Sequence, residues 1–586
     1  MTHSTSISPA CCTVRLMKQT MKRQSIRKTN RSQELAECLK PNPVYYPNPI
    51  TFQKANQFNN ASRKRPLELL EDFISLDNDD DDNQGSHGNG KESGTSTGCD
   101  SYVHWFRSDL RVNDNRGLAY AYRKARAEDR PIHGLYVINE HDWVAHMESG
   151  WKLTFIVEAL KELGSSLSKY GIELHVRQFE PDTPLLSNSK AFSEWFVHTV
   201  EEITGTGNST LVTANLQYEV DELYRDGRIA RLGNTRNNFK LRLFHDQCIV
   251  RPGALTTGKG SQYTVFTPWY KKWVSYIEHD IDGTLKTPHG LNHPTDTKDF
   301  QQLPIDYHLP ERFTSYIPEQ HLHTPPATEA AALEAMKNFI EGRGTKYNEN
   351  KDLLATDGTS LLSGYITIGI ISTRTIVLSA YLANNRHIMN KNKDVKNNNS
   401  LETFIKEIAW RDFYKHVLCH WPFLSMDLPF KFETLNIKWQ QDTTHFEQWC
   451  YGETGVPIVD AIMLQLLHTG YINNRARMIT ASFLAKNLLV DWRYGERWFR
   501  KHLIDYDVAS NIGGWGFCSS TGVDCQPYFR VFNMTLQSQK FDPDGKFIRR
   551  WLHLPHTTDV HQPSNTAIVD LKESRERALE KYREVM

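Results

Sequence analysis

The central part of the chain alternates short apolar runs with longer stretches in which apolar residues recur every three or four positions, starting abruptly at Tyr102. The runs have the length and the β-branched or aromatic content of strands, and the stretches between them have the period of amphipathic helices. Strands that alternate with helices predict a doubly wound parallel sheet, hence an α/β domain over residues 99–250. We predict strands at about 103–106, 132–138, 173–179 and 210–214, helices at about 114–129, 151–169 and 190–204, and one further helix and strand within 225–250.

The carboxyl-terminal half has a different pattern. Beyond Pro326 the strand-like runs disappear, and apolar residues keep helical spacing to about residue 550. This predicts an all-helical domain over 326–555, followed by a charged terminal helix within 556–586. Residues 251–325 are rich in Pro, Gly and Thr and are predicted to be a connector between the two domains.

The first 98 residues have a composition unlike that of a folded core. Residues 1–32 contain seven Lys and Arg but no acid, which is typical of a mitochondrial presequence and equally of an unstructured basic arm. A basic cluster of nuclear-localisation type follows at 63–66, and then eight acids with no base between Glu68 and Asp82. Like charges with little apolar content cannot repay the entropy of ordering. We therefore predict a disordered extension over 1–98, and a location in the nucleus with the mitochondrion as a second location.

Composition and charge exclude several classes of protein. A chain of 586 residues is too long for a single compact core. Its 69 Lys and Arg balance 69 Asp and Glu, which excludes a uniformly basic nucleic-acid coat but not a local basic face. No window approaches 18 consecutive apolar residues, so no membrane-spanning helix is predicted, and no secretory signal is visible. The nine scattered cysteines contain no C-x-x-C pair, which argues against a disulfide framework or zinc ribbon and suits a reducing compartment.

Two motifs of nucleotide and metal chemistry are incomplete. Residues 253–260 nearly form a phosphate-binding P-loop, but Gly260 stands where Ser or Thr should hold Mg²⁺. His416 and His420 have the spacing of zinc ligands on a helix, but Val417 replaces the Glu of the metalloprotease motif. We therefore predict neither nucleotide hydrolysis nor a metal site.

Three blocks between residues 400 and 550 combine aromatic, amide and charged residues in a way that core packing does not require. The second block, 470–478, opens an otherwise apolar helix with two Asn and two Arg. The third, 505–517, places a Gly pair beside acids and an amide, and Gly permits close approach of the backbone to a ligand. In the first block, 406–414, four side chains share one face of a predicted helix: Glu407, Trp410, Arg411 and Tyr414. Together the blocks predict a half-open polar pocket.

These blocks, with others along the chain, resemble the photolyase/cryptochrome family, and within it class I cyclobutane pyrimidine dimer photolyases of fungal type. The similar segments run from 105–111 (WFRSDLR) and 265–268 (VFTP) through 358–363 (GTSLLS) to Ile548-Arg549. The resemblance thus covers about 102–555. It implies an α/β antenna domain, a helical domain that holds FAD, and light-driven electron transfer from reduced FAD to a pyrimidine dimer flipped out of double-stranded DNA.

The resemblance also implies roles for single residues around FAD. Arg411 would belong to the cofactor site, Arg477 and Asp505 would pair across the flavin, Asp507 would contact its ring, and Asn511 would face its N5 atom. An amide at 511 is the repair-type residue, where plant sensory relatives have Asp and insect ones have Cys. The phosphates and ribose would lie against Tyr347, Thr359, Ser360, Leu361, Leu362 and Ser363.

The dimer would occupy the neighbouring part of the pocket. Glu407 would hydrogen-bond to a dimer base and stabilise its radical anion, while Asn474 and Met478 would border the same cavity. Trp410 would stack on the flipped dimer, which recovers about 1–3 kcal/mol. The (6-4) repair branch has a His pair near Asn474 that is absent here, so that activity is disfavoured.

Electron supply and DNA contact are implied in the same way. Trp515, Trp492 and Trp439 match the tryptophan chain that photoreduces FAD from the surface inward, although three Trp in a helical domain more often belong to the core. DNA contact is expected to be electrostatic and local, since residues 470–550 hold twelve Lys and Arg against seven Asp and Glu. The DNA-binding positions that match are Lys351, Trp410, Arg475, Arg530 and Gln537.

The resemblance also implies an antenna chromophore in the α/β domain. His146, Asp221 and Glu222 match positions that hold a folate in yeast-like and enteric-bacterial members, which predicts 5,10-methenyltetrahydrofolate; a deazaflavin or no antenna is the alternative. The main rival function is a cryptochrome-type photoreceptor that signals to protein partners, and a flavin-free DNA-binding module is a third. Asn511, Glu407, Met478 and the short carboxyl-terminal tail favour repair. The protein is predicted to be a monomer with no membrane contact.

Overall fold

The computed structural model describes residues 28–40, 50–74, 98–287, 291, 304–318, 325–389, 400–441 and 443–586. Within these ranges an α/β domain is followed by a helical domain, and the folded parts of the amino-terminal extension pack onto both.

Two parts of the extension are folded, which corrects the prediction of a disordered segment over 1–98. Helix α1 spans Lys28–Leu39, and helices α2 and α3 span Phe52–Asn59 and Pro66–Glu71. Cys38 and Phe58 are 0% and 1% exposed because these helices pack onto the main domains. Residues 1–27, 41–49 and 75–97, with nearly all of the basic arm and most of the acidic run, lie outside the described residues.

The basic cluster at 63–66 belongs to this folded part. Arg65 donates from Nε to the backbone carbonyl of His420 at 2.9 Å, and its guanidinium pairs with Glu68 at 2.7 Å. Lys64 pairs with Asp72 at 2.7 Å. The cluster is therefore held in a folded turn against the helical domain rather than presented as an extended peptide.

Five parallel strands form one sheet in the order β3-β2-β1-β4-β5, which confirms the predicted α/β class. Both β1 and β4 are buried along their whole length, as expected for central strands with helices on both faces. The strand order reverses between β1 and β4, so their carboxyl ends open the kind of crevice that binds ligands in doubly wound sheets. The strands are β1 Ser101–Phe106, β2 Ile132–Ile138, β3 Glu173–Gln178, β4 Thr210–Asn215 and β5 Phe239–Phe244, and the helices around them are α4 Arg116–Ala127, α5 Glu140–Ala145, α6 Gly150–Ser168, α7 Lys190–Thr204 and α8 Val220–Gly233.

The predicted connector contains regular structure. It holds helices α9 Phe266–His279, α10 Ile281–Leu285 and α11 Glu311–Thr314. Trp269 and Trp273 of α9 are both 0% exposed, because this helix packs against the long helix that begins at residue 400. The segment 251–325 is thus partly an element of the helical core and not only a link between domains.

The described residues beyond 325 contain helices and no strand, in agreement with the predicted helical domain. A single π-helical turn, Phe483–Asn487, follows α19 directly. The helices are α12 Glu329–Glu341, α13 Tyr347–Asn350, α14 Ser363–Ile368, α15 Thr373–Ala383, α16 Ser400–His420, α17 Thr443–Cys450, α18 Pro457–Thr469, α19 Asn474–Ser482, α20 Trp492–His502, α21 Val508–Ser519, α22 Met534–Phe541, α23 Lys546–Leu552 and α24 Leu571–Arg583.

Helix α16 joins the two domains along one of its faces. The Asp412 carboxylate accepts the backbone N–H of Ile249 at 2.9 Å, and His416 Nε2 lies 2.7 Å from the carbonyl oxygen of Val250. The histidine that has zinc-ligand spacing therefore has a structural partner in the α/β domain. The opposite face of α16 remains available to line a cavity in the helical domain.

The terminal helix α24 closes the helical domain. Its Tyr582 is 0% exposed and donates its hydroxyl to the carbonyl of Ser519 at 2.8 Å. No helix in the described ranges is both long enough and apolar enough to cross a bilayer.

Candidate active site and antenna cleft

The helical domain contains a cavity of about 520 Å³. Its walls come from several parts of the sequence, among them helix α13, the turn 359–363, helices α16 and α19, and helix α21 with the segment that leads into it. The three blocks singled out in the sequence, which lie far apart along the chain, thus meet around one space.

The turn 359–363 forms one end of the cavity. Leu361 has a φ of 58°, and the backbone N–H of Leu362 points to the Ser360 hydroxyl at 3.4 Å, so the chain bends sharply just before α14. The Thr359 hydroxyl lies 3.3 Å from the Tyr471 hydroxyl across the cavity wall. All six residues predicted to hold the FAD phosphates and ribose line this space: Tyr347, Thr359, Ser360, Leu361, Leu362 and Ser363.

Arg477 and Asp505 form the predicted pair. One guanidinium nitrogen of Arg477 donates to both carboxylate oxygens of Asp505, at 2.8 and 2.7 Å, and its Nε donates to the backbone carbonyl of Ile472 at 3.0 Å. These contacts fix the position of both charged groups, because charge-assisted hydrogen bonds are short and strong.

Asp507 is held ionised by two cations of α16. Its carboxylate caps the start of α21 by accepting the Ser510 N–H at 2.9 Å, and Lys415 Nζ lies 2.9 Å from its other oxygen. Burial alone would raise the pKa of Asp507, but Lys415 and Arg411 outweigh it and hold the pKa well below its usual range. A fixed negative charge therefore lies in the wall of the cavity at any physiological pH.

Asn511 also lines the cavity, and its orientation is set by Glu496. The side-chain nitrogen of Asn511 donates to the backbone carbonyl of Glu496 at 3.1 Å and to its carboxylate at 2.9 Å. Arg500 in turn donates to both oxygens of that carboxylate, at 2.9 and 2.8 Å. Both amide protons of Asn511 are thus committed, which leaves its carbonyl oxygen as a hydrogen-bond acceptor for a ligand.

The four side chains predicted to share a face of α16 all reach the cavity. The Trp410 indole is stacked on Phe266 of α9, with ring centroids 3.6 Å apart and planes 7° from parallel. Arg411 donates to the Gln247 carbonyl at 2.6 Å, so it marks the side of the cavity nearest the α/β domain. Because Phe266 packs against one face of the indole, Trp410 is held as a flat aromatic surface in the cavity wall.

Glu407 projects into the cavity with 33% of its side chain exposed. Its carboxylate lies 3.5 Å from Lys351 Nζ. Burial raises the pKa of Glu407 above its ordinary value, and the cation of Lys351 offsets only part of this effect. Its carboxyl group is consequently easier to protonate than one on the surface.

Asn474 and Met478 lie one turn apart on α19. The amide nitrogen of Asn474 is 3.8 Å from the Met478 sulfur, and both side chains line the cavity. They border the same space as Glu407.

The three predicted redox tryptophans differ in their position relative to the cavity. Trp515 lines the cavity and is 2% exposed, and Trp492, 5% exposed, starts the helix that packs against α21. Trp439 is half-buried, in a segment attached there by a hydrogen bond from the Gln440 N–H to the Leu489 carbonyl at 2.8 Å.

The side chains predicted to contact DNA phosphates differ in their surroundings. Lys351 and Arg475 both pair with Asp352, at 3.4 and 3.0 Å, at the edge of the cavity. Arg530 is exposed, and Gln537 is half-buried on α22. To contact a phosphate, Lys351 and Arg475 would therefore have to release or share Asp352. Among the residues that the structure describes, the Arg530 side chain forms no ion pair.

A second, smaller cleft of about 120 Å³ opens at the carboxyl ends of β1 and β2, where the topology predicts a ligand site. His146 and Glu222 line it. Asp221 does not reach the cleft but lies behind His146, with Oδ2 3.1 Å from Nε2. Burial alone would lower the pKa of His146, but Asp221 and Glu222 outweigh it and raise the pKa to about 9.

This shift predicts a pH dependence of stability. Because folded His146 keeps a proton that the unfolded imidazole has lost, its contribution is complete below about pH 6.5 and disappears as the pH rises to about 9. We expect the free energy of unfolding to fall by up to about 3 kcal/mol across this window. Denaturant titrations at stepped pH measure it. The His146→Gln variant should have a shallower slope but not a flat one, because burial also raises the pKa of the neighbouring Glu222 to about 7; identical slopes in the two proteins would contradict the assignment.

Sequence reasoning missed several residues that shape the cavity. Phe266 supports Trp410, Glu496 orients Asn511, and Lys415 holds Asp507 ionised. The i, i+4 spacing of Glu496 and Arg500 was a usable signal of an ion pair on a helix. The partners of Phe266 and Lys415 come from distant parts of the chain, and no local pattern indicates them.

Comparison with known proteins places these sites in a family. Residues 102–288 match the family model described as DNA photolyase, and residues 404–584 match the one described as the FAD binding domain of DNA photolyase. The chain belongs to the DNA photolyase family.

Its similarity to individual members extends over nearly its whole length. It is 48% identical over 554 residues to the mitochondrial deoxyribodipyrimidine photo-lyase of Saccharomyces cerevisiae, covering 93% of this chain and 94% of the relative. Identity to the deoxyribodipyrimidine photo-lyase of Neurospora crassa is 36% over 576 residues, covering 92% and 88%. Among solved structures, a bacterial class III photolyase from Agrobacterium tumefaciens superposes with a TM-score of 0.67 at 28% identity, covering 84% of this chain and 99% of that one.

Proposed function

We propose that this chain is a light-dependent enzyme that splits cyclobutane pyrimidine dimers in double-stranded DNA by means of FAD held in the helical domain. The observation that carries the proposal is a single cavity lined both by the turn 359–363 with the Arg477–Asp505 pair and by Glu407 and Trp410. FAD and the flipped dimer would therefore be in direct contact within one cavity. The relatives named deoxyribodipyrimidine photo-lyase support the same activity.

The lining fits FAD in size and chemistry. A volume of about 520 Å³ lies within the range of about 300–1,000 Å³ usual for cofactor sites. Hydroxyls and backbone N–H groups at 359–363 suit phosphates. A Cβ atom built on Gly514, in the cavity wall, would meet no atom within 4 Å, so the backbone there leaves room for a ring. Bound, reduced FAD supplies the electron that splits the dimer when it absorbs near-ultraviolet or blue light.

The residues around the ring position would tune and orient the cofactor. The Asn511 oxygen can accept a hydrogen bond from a ring N–H, because both of its amide protons are bound to Glu496. Arg477 and Asp505 neutralise each other and present a fixed dipole. Asp507 adds a permanent negative charge at the start of α21.

The other part of the cavity would receive the flipped dimer. Trp410 offers a flat face held by Phe266, and stacking of a base on such a face contributes about 1–3 kcal/mol. Glu407, when protonated, can donate a hydrogen bond to a carbonyl oxygen of the dimer that gains negative charge. Arg475, Arg530, Gln537 and Lys351 would contact phosphates around the opening and position the duplex without reading its sequence.

The test is repair of a defined lesion. We expect FAD-loaded, reduced protein to restore a duplex oligonucleotide that carries one cyclobutane dimer under blue light, but not in the dark, and to leave a matched (6-4) photoproduct duplex unchanged. Intact dimers after irradiation of the loaded protein would contradict the proposal and favour a cryptochrome-type photoreceptor.

For the antenna, we propose 5,10-methenyltetrahydrofolate in the cleft lined by His146 and Glu222. A protonated His146 beside two carboxylates is a suitable partner for polar groups of a pterin and its glutamate. Release of a pterin on acid treatment supports the folate, and release of a deazaflavin or no second chromophore would contradict it.

For location and assembly, we propose a monomer that acts in the mitochondrion and the nucleus. The mitochondrial location is supported by the acid-free residues 1–32 and by the named location of the yeast relative. The nuclear location rests on the cluster at 63–66, whose Arg65 is committed to contacts within the fold. Imaging of the full chain with and without residues 1–27 separates the two.

A further inference from the structure

Two histidines that none of the proposed chemistry uses face each other at one edge of the sheet. His133 lies on β2 and His175 on the edge strand β3, and Nδ1 of His133 is 3.3 Å from Nε2 of His175. The ring centroids are 5.4 Å apart and the ring planes are inclined by 47°, so the rings meet through these nitrogens and do not stack.

The register of the two strands produces this approach. His133 is paired with Glu173, and His175 lies two residues further along β3, so all three side chains project from the same face of the sheet. Both histidines are thus placed by regular strands and not by a loop. Local motifs could not predict the pair, because its members are 42 residues apart in the sequence.

The separation of the two nitrogens suits a shared metal ion. Zn²⁺ binds histidine nitrogens at about 2.0–2.1 Å in tetrahedral geometry, which places two such nitrogens about 3.3–3.4 Å apart. Without a metal the same separation fits a hydrogen bond between the rings. Each neutral imidazole carries one proton, and moving the shared proton to the far nitrogen of its ring frees both facing nitrogens for a metal.

The surroundings add negative charge and access from solvent. Oε2 of Glu173 lies 3.7 Å from Nε2 of His175, and the Glu173 side chain is 32% exposed. Both residues line a cavity of about 310 Å³ between β3 and the segment 304–307, whose wall also contains Asp306 and one cation, Arg177. An ion with its water ligands can therefore reach the imidazoles.

We propose that His133 and His175 form a binding site for one divalent transition metal ion of the Zn²⁺ type, with water completing its coordination. Among the residues that the structure describes, no three His, Cys, Asp or Glu side chains are arranged to hold a metal ion, so the protein supplies two ligands. Glu173 contributes its charge and an acceptor for a metal-bound water. Neither histidine lines the antenna cleft, so the two sites are separate.

A bound ion would link β2 to the edge strand β3. Because the unfolded chain does not hold the two imidazoles together, the ion would bind the folded state in preference and stabilise it. The site does not depend on the proposed function, since none of its residues lines the cavity of the helical domain.

Calorimetric titration of the full chain with Zn²⁺ tests the proposal. Half the ligands of a structural zinc site are present, so we expect one equivalent to bind with a dissociation constant on the order of 1–100 µM. His133→Gln and His175→Gln should each weaken binding at least about tenfold, and the double variant should lose little more, because the two ligands act together. If one single variant does not fold, the other still tests the site.

The matched control is His198→Gln. His198 is an exposed histidine on α7 whose Nε2 lies 3.3 Å from Glu202, so it samples the weak binding of metal to surface imidazoles. Its substitution should leave the one-equivalent binding step unchanged.

Hydrogen exchange locates the bound ion. Zn²⁺ should slow amide exchange in β2 and β3 of the wild type, EDTA should reverse the effect, and β5 at the other edge of the sheet should not respond. Wild-type Zn²⁺ affinity in His133→Gln or His175→Gln would overturn the site, as would protection confined to other segments. A dissociation constant weaker than about 1 mM would also overturn it.

Discussion

Replacing Trp515 with Phe is expected to slow light-driven reduction of the flavin strongly while sparing dimer repair by enzyme that has been reduced chemically beforehand. Trp515 is the only one of the three proposed relay tryptophans that lines the cavity, and it is 2% exposed. A phenyl ring fills most of the same space but gives up an electron far less readily than an indole. We expect photoreduction to slow by at least about tenfold, which corresponds to about 1.4 kcal/mol of barrier.

A neighbouring tryptophan provides the control for this experiment. Trp449 is 0% exposed, its ring lies 6.1 Å from that of Trp515, and its indole N–H donates to the Thr480 carbonyl at 3.1 Å. It does not line the cavity. Absorption spectroscopy under illumination should show Trp449→Phe reducing its flavin like the wild type; wild-type photoreduction in Trp515→Phe, or loss of repair by the pre-reduced variant, would refute the relay.

The second large effect is expected at Glu407. The Glu407→Ala variant should retain FAD but repair dimers on the order of tenfold less efficiently, because a hydrogen bond to a group that becomes charged contributes about 1.5–3 kcal/mol. Product yield per absorbed photon on a dimer oligonucleotide measures it, with the flavin absorbance as the check on loading.

The Glu407→Gln variant tests whether the Glu407 carboxyl acts by donating a hydrogen bond or only by filling space. An amide donates at every pH, whereas the carboxyl donates only while protonated, and burial raises its pKa. We therefore expect the wild-type yield to decline as the pH rises through that raised pKa, and the Gln variant to keep most of the activity with a flat profile. Full activity in Glu407→Ala would exclude the assigned role.

Much of the α/β domain could be predicted because its signals are local. The strand predicted at 132–138 has those bounds in the structure, and the helix predicted at 114–129 spans Arg116–Ala127, starting where the Asn115 side chain accepts the N–H of Leu118. Strand order and register depend on contacts between distant segments, so the sequence could not supply them.

The errors have physical causes. The helix Phe266–His279 was missed because the Pro, Gly and Thr content of 251–325 indicated a connector, although Pro268 lies in the first turn of this helix, where Pro is tolerated. The folded parts of the extension were missed because α1 is polar and short, and it is stabilised by burying Cys38 against the helical domain rather than by its own propensity.

For the cavity, residue types and spacing on single helices were sufficient to group Glu407, Trp410 and Arg411. They were not sufficient to predict the orientation of Asn511, since its partner Glu496 lies 15 residues away on another helix. Residue types and spacing also did not indicate that Lys351, predicted to contact a DNA phosphate, lies beside Glu407.

Contact between the excited cofactor and the lesion can be measured through the fluorescence lifetime of the reduced flavin. With flavin and dimer together in the 520 Å³ chamber, adding a dimer-containing duplex should shorten that lifetime markedly, and an undamaged duplex of the same sequence should leave it unchanged. If the lifetime is unchanged when damaged DNA is bound at saturation, the flavin and the dimer do not share one cavity.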